Sequence, residues 1–434
     1  MRRSERSVRA ATCSIAARVT GLSLLIAAMA PPSVSAQSLL VPMDDRQSDH
    51  LRAYGLVYEA IAAGEPAEWL LNYRAGSFLL PRQRRIEQRA ALLGVRVEPL
   101  SGADLAAIRG EIEAANMESV PLEKAPRIAV YTPPNSSPWD DAVTIALEYA
   151  GIPYERIWDR EVLAGRLSDY DWLHLHHEDF TGQYSKFYLN YAGAAWLRDE
   201  VERNQAVAAE FGMSDVPALK KAVARRIRAY VQQGGLLFAM CTATETLDLA
   251  LAAEQVDIAA AFADGTPPDA DAGARMQWDA ALAFSGAEVV LDPGLSAFSD
   301  IDGHQVNTPW RQPLGSFSLF DFSAKIDPVP AMLTQDHERV ISDFYGLTTS
   351  FNPDRLKPGI TVLARDRSSG TVKYLHGSFG EGSFTFLGGH DPEDPQHLIG
   401  DQATDLALHR NSPGYRLILN NVLYPAAKKK ALKT

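Results

Sequence analysis

The hydrophobic and polar positions of this chain fall into short apolar runs separated by amphipathic stretches, the rhythm of strands alternating with helices. Asp44 to Ala62 has helical spacing, Ala67 to Tyr73 and Ser77 to Leu80 read as short strands, and two helices follow near 83–94 and 102–116. Residues 37–116 therefore predict a small N-terminal α/β module, with Met117 to Arg127, carrying Pro121 and Pro126, as the linker after it. The main alternation then begins. Strands are predicted at Arg127 to Thr132, Tyr154 to Trp158, Asp171 to His176 and Leu236 to Met240, and helices at Asp140 to Ala150 and Ala218 to Gln233. Such spacing calls for crossover connections and a parallel sheet. Residues 255–315, with Gly265-Thr266-Pro267-Pro268-Asp269, break the rhythm and read as an insertion. Phe317 to Phe322, Ile360 to Arg365, Thr371 to His376 and Ser383 to Leu387 then form a more antiparallel part, and Gly414 to Leu423 a closing helix.

The first 36 residues stand apart. Arg2, Arg3, Arg6, Arg9 and Arg18 precede or flank an apolar run from Val19 to Ala30, and Val34-Ser35-Ala36 supplies a small-residue cleavage site. The expectation is an exported, periplasmic or extracellular protein whose mature form starts at Gln37. The apolar run is too short for a membrane span, so no stable membrane insertion is expected after its removal. Without that segment, Lys plus Arg falls from 42 to 37, Asp plus Glu from 54 to 53, and the formal charge from −12 to −16. An acidic chain of this kind makes a poor nucleic-acid binder, which needs a basic face. Of the two cysteines, Cys13 lies in the export segment, so Cys241 has no partner for an internal disulfide.

Three segments could carry chemistry. Cys241 follows the apolar strand Leu236 to Met240 and precedes a helix; strand ends in such sheets gather ligands, and a helix N-terminus favours thiolate. Its plain alternative is a small buried hydrophobe. The run His174-Leu175-His176-His177-Glu178-Asp179 ends the third strand, where two imidazoles and a carboxylate suit a divalent metal; packing of His174 and capping by the acids is the alternative. The run Gly388-Gly389-His390-Asp391-Pro392-Glu393 ends another strand, with His390 available as a base and Glu393 or Asp391 to orient it; a solvated turn is the alternative.

A glycine turn, a strand, a cysteine elbow and a helix, followed much later by a strand ending in His-Asp-Pro-Glu, resembles the class I glutamine amidotransferase superfamily over roughly residues 127–425, with the region around 255–350 unmatched, in a core expected to span 127–427. The resemblance implies a flavodoxin-like, mostly parallel sheet flanked by helices, with Cys241 as nucleophile, His390 as its base and Glu393 as the orienting acid. Alanines 239 and 243 stand where the family has glycines, and Asp391 lengthens its His-x-Glu to His-x-x-Glu. Pro42-Met43-Asp44-Asp45, Trp69 to Arg74 and Asp171 to Thr181 also resemble exported bacterial proteins sometimes called asparagine synthetase B. That reaction is not expected, because position 2 is Arg2 and the sequence has no Ser-Gly-Gly-x-Asp-Ser loop.

The expectation is thus a cysteine-dependent hydrolase of an amide or related C–N bond, with His176, His177, Glu178 and Asp391 touching a small-molecule, sugar or peptide ligand, and with neither cofactor nor metal. One alternative is a non-catalytic sugar- or peptide-binding domain whose pocket is lined by Trp139, Trp172, Tyr184, Phe187 and Tyr188. The other is a metal-dependent hydrolase using His174, His176 and Glu178.

Overall fold

Short apolar strands, most of them buried along their whole length, and helices with an apolar stripe between them produce two sheets in the computed structural model, which describes residues 37–134, 141–303, 315–327, 329–396 and 402–428. The expected export segment and Trp139 lie outside the described residues. The first sheet contains β1 (Ser38–Val41), β2 (Ala67–Leu71), β3 (Ser77–Pro81), β4 (Glu98–Leu100) and β5 (Glu118–Leu122), in the order β4-β1-β3-β2-β5 with every pair antiparallel. The first half of the expected linker at 117–127 is β5, Glu118–Leu122. Pro121 disguises it in the sequence, yet an edge strand tolerates a proline, and Pro99 sits on the opposite edge strand for the same reason.

The second sheet contains β6 (Ile128–Tyr131), β7 (Glu155–Ile157), β8 (Trp172–Leu175), β9 (Leu236–Met240), β10 (Ser316–Leu319), β11 (Val340–Ser342), β12 (Thr361–Asp366), β13 (Val372–Phe379) and β14 (Gly382–Leu387). Its order is β11-β10-β12-β13-β14-β9-β8-β6-β7. The stretch from β7 to β14 is wholly parallel. Taken in chain order, its strands lie 2-1-3-4-5, the flavodoxin-like arrangement. The four strands beyond β14 pair antiparallel; the sequence pattern calls for β10, β12 and β13, and β11 is an addition to it. Helices flank the sheet. Val216–Gln232 buries Leu219, Val223, Ile227 and Val231, a stripe at helical spacing against the parallel strands.

The described residues form one compact unit. Trp69 and Phe78 of the first sheet share a hydrophobic cluster with Phe238 of the larger one and with Leu147 and Leu419 of the helices Ala142–Ala150 and Pro413–Leu423. Polar ties reinforce that seam: Tyr54 donates to Asn420 Oδ1 at 2.5 Å, and the buried Arg416 donates to the carbonyl of Ala75 at 2.7 Å. Among the described residues, no helix is long and apolar enough to cross a membrane.

Candidate functional site

Parallel strands finish on one edge, so whatever follows β8, β9 and β14 must meet there. His176 and His177 follow β8, Cys241 follows β9, and His390 comes three residues after the end of β14. One ligand-type atom from each of these four residues lies within 4.8 Å of the others. The imidazoles form a tight group: His176 and His177 stack with centroids 4.2 Å apart and planes 6° apart, and His390 sits 4.6 and 4.7 Å from them. Backbone bonds fix the grouping. The N–H of Ala243 donates to the carbonyl of His176 at 3.0 Å, and the N–H of His390 to that of Tyr345 at 2.7 Å.

Cys241 has φ 49° and ψ −139°, a conformation that costs a non-glycine residue strain and tends to persist where function requires it. It is the turn between β9 and the helix Thr242–Ala252. Ala239 and Ala243, where the resembling family has glycine, are fully buried and small enough for the turn to form. The thiol is buried, and burial pushes its pKa up; hydrogen bonds from the Leu347 backbone, from Thr242 and from the Thr348 backbone pull the other way. The sulfur therefore sits in a ring of donors able to hold a negative charge, without carrying one at neutral pH. His176 is held neutral, its pKa pushed down to about 4 by burial and by neighbouring His177.

The site opens into a cavity of about 590 Å³, lined among others by His177, Glu178, Cys241 and His390. One wall is aromatic, from Tyr184, Phe187, Tyr191 and Trp196, and charged groups Arg156, Glu200 and Arg203 line it as well. Behind Glu178 lies a buried ionic group. Lys220 donates to Glu178 and, at 3.0 Å, to Asp159, which also accepts from Tyr131. Burial works against the Lys220 ammonium, but the two carboxylates outweigh it and hold its pKa up. The loop after β8 is equally constrained. Tyr184, Ser185 and Lys186 all have φ near +55°, and Asp179 holds this left-handed turn by accepting from the N–H groups of Thr181, Gln183 and Ser185.

Not every expected residue joins the centre. Glu393 has its Oε2 2.8 Å from Nδ1 of His409 rather than a place in a catalytic row. The cause is Asp391, whose carboxylate accepts from the N–H groups of Glu393 and Asp394 and turns the chain away. Asp391 is itself fully buried and accepts from Tyr415 and Thr404, both at 2.8 Å, so its role is internal support and not ligand contact. His174 packs in the core, bonded to the Phe238 carbonyl and Asp141. With Glu178 committed to Lys220, the set His174, His176 and Glu178 does not converge. Of the aromatics proposed for a binding pocket, Tyr184 and Phe187 line the cavity, Trp172 stacks on Phe238 in the core, and Tyr188 stacks on Phe262. The sequence reading missed Tyr191, Trp196, Glu200 and Lys220. Lys220 left a trace: it shares the buried stripe of its helix with Val216, Val223 and Ile227, an odd place for a lysine.

No protein-family model matches this chain. No curated protein matches it either. Among solved structures it is similar to two cytoplasmic proteins of Salmonella typhimurium, at 9% and 12% identity, each over 70% of this chain and 100% of theirs, both with a TM-score of 0.33. A beta-galactosidase from Bacillus circulans sp. alkalophilus is similar at 12% identity over 66% of this chain and 31% of its own, with a TM-score of 0.27. Likenesses at these TM-scores carry no argument about function.

Proposed function

We propose that this protein is an exported cysteine-dependent hydrolase of an amide or related C–N bond. The observation that carries the reading is the strained Cys241 turn, with its sulfur among backbone donors and beside His390 at a cavity of ligand size. In this reading the Cys241 sulfur attacks the carbonyl carbon while His390 takes the thiol proton and returns it to the leaving amine; water, deprotonated by the same imidazole, then cleaves the thioester, and the sulfur regains its proton. Because burial disfavours a resting thiolate, the proton must move as the sulfur attacks. The Leu347 and Thr348 N–H groups bond to the sulfur itself and favour the thiolate that forms as the proton leaves. Glu393 is engaged with His409, so Cys241 and His390 act as a dyad. The aromatic wall beside mixed charges favours a small-molecule, sugar or peptide ligand with both apolar and ionic parts. Export rests on the arginine-flanked apolar segment and its cleavage site.

The test is labelling of the folded protein, freed of any metal by chelation, with an amide-directed electrophilic probe followed by mapping of the adduct. Stoichiometric modification of Cys241, lost in His390→Gln with the fold retained, is expected. A thiol that stays unmodified until the protein is denatured would return Cys241 to the core.

A further inference from the structure

We propose that His176, His177, Cys241 and His390 form a binding site for a zinc-type divalent cation, and that the bound ion masks the Cys241 thiol. The masking half rests on the nucleophile reading above; the site itself does not. A thiolate with three imidazoles is a borderline-soft donor set, suited to zinc(II) and unsuited to magnesium or calcium, which take oxygen ligands. The four donor atoms lie within 4.8 Å of one another. Zinc bonds of about 2.0–2.3 Å in a tetrahedron place donors roughly 3.3–3.8 Å apart, so closure asks only for small side-chain rotations.

Two further observations point to an ion. His176 is 1% exposed, and its Nε2 has no hydrogen-bond partner among the described residues. A buried polar atom left in that state needs an explanation, and a metal bond supplies one. On the other side of the same ring, Nδ1 lies 3.4 Å from Asp141 Oδ1. A carboxylate behind a ligating imidazole is the usual outer support of a metal site, fixing the ring and raising its basicity. Asp141 is itself held, since its other oxygen lies 3.2 Å from Nε2 of His174. Access exists as well: Cys241, His177 and His390 line the cavity, with His176 against their buried side. On binding, the sulfur–metal bond forms as the thiol proton leaves to solvent, with no change of oxidation state.

The experiment titrates the full chain with zinc chloride against a chromophoric chelator, with cobalt(II) as a spectroscopic substitute. One zinc per chain is expected, with a thiolate-to-cobalt charge-transfer band that disappears in Cys241→Ser. His177→Gln, at a partly exposed position that should spare the fold, is expected to bind at least ten-fold more weakly. Asp141 also caps the helix Ala142–Ala150 by accepting from the N–H groups of Val143 and Thr144, and Asp141→Asn, which keeps that cap, should weaken binding about 10–100-fold. Removing the zinc by chelation should make Cys241 alkylatable. Protein that refuses zinc while Cys241 alkylates overturns the site and leaves the hydrolase standing, and binding undiminished in Cys241→Ser and His177→Gln overturns it too. Zinc binding that needs Cys241, joined to a thiol still inert after chelation, supports the site and overturns the nucleophile reading.

Discussion

The backbone N–H of Cys241 donates to the carbonyl of Gly389 at 3.2 Å, tying the cysteine turn directly to the residue before His390. The proposed nucleophile and base are thus tied through the backbone, and ligand-type atoms of their side chains lie within 4.8 Å of each other. Gly389 has φ +91°, and a Cβ built there would lie 2.6 Å from the Phe344 ring and 2.8 Å from the Phe344 carbonyl. Gly389→Ala should therefore lose about 1–3 kcal/mol to the conformation and about as much again to the clash. Denaturant unfolding measures that loss, and the same sample should alkylate at Cys241 at a changed rate. A stable variant with wild-type alkylation would mean that the bond is incidental.

Lys220 is the next point of weakness. Its ammonium stands between Asp159 and Glu178, and all three are buried or nearly so. Lys220→Met keeps most of the apolar stem but leaves two acids without their cation, at an expected cost of about 3–5 kcal/mol. Glu178→Gln, which leaves the Lys220–Asp159 pair intact, should cost much less. If the two variants unfold at the same urea midpoint, the lysine is not the keystone of the group.

The parallel half of the fold was legible because its strands are buried on both faces. Leu236 to Met240 reads as a continuous apolar run after two glycines, and its observed limits match. The helix Ala195–Glu210 left little trace, since it buries only Leu197, Asn204, Val207 and Ala208. Cys241, His177 and His390 were visible because each ends an apolar strand, and parallel pairing then forces them to one edge. Glu393 went astray for a reason no local pattern contains: its partner His409 is distant in sequence, and the turn built on Asp391 decides which way it points. The Lys220 group, drawn from four separate elements, is likewise a product of tertiary packing.

Docking of the N-terminal module can be tested at Gly55. This glycine lies inside the helix His50–Ala62, where a Cβ would stand 1.8 Å from the Ala150 carbonyl oxygen of the neighbouring helix. Backbone cannot yield as a flexible side chain would, so Gly55→Ala is expected to lose about 1–3 kcal/mol despite the gain in helix propensity. Limited proteolysis near Pro121 should release no core of unchanged thermal stability, because Trp69 and Leu419 share one cluster. A variant as stable as the wild type would mean that the two helices part at no cost.

Glu245 and Glu200 set the expected pH dependence. Burial raises each carboxyl from an ordinary value of 4.5 to about 7; Ser299 and Thr348 hydroxyls donate to the first, and Glu178 adds repulsion to the second. A carboxyl with a raised folded pKa binds its proton more tightly in the native state than in the unfolded one. Its contribution is therefore fully present below the unfolded pKa and is lost as pH rises from about 4.5 to about 7. Glutamine cannot ionise, so Glu245→Gln and Glu200→Gln should each flatten the fall in stability across that window, and the double variant should flatten it most. Urea midpoints at several pH values between those limits provide the measurement, read as the difference from wild type so that other titrating groups cancel. A slope unchanged in all three variants would show that both carboxyls are already ionised in the folded protein near pH 5.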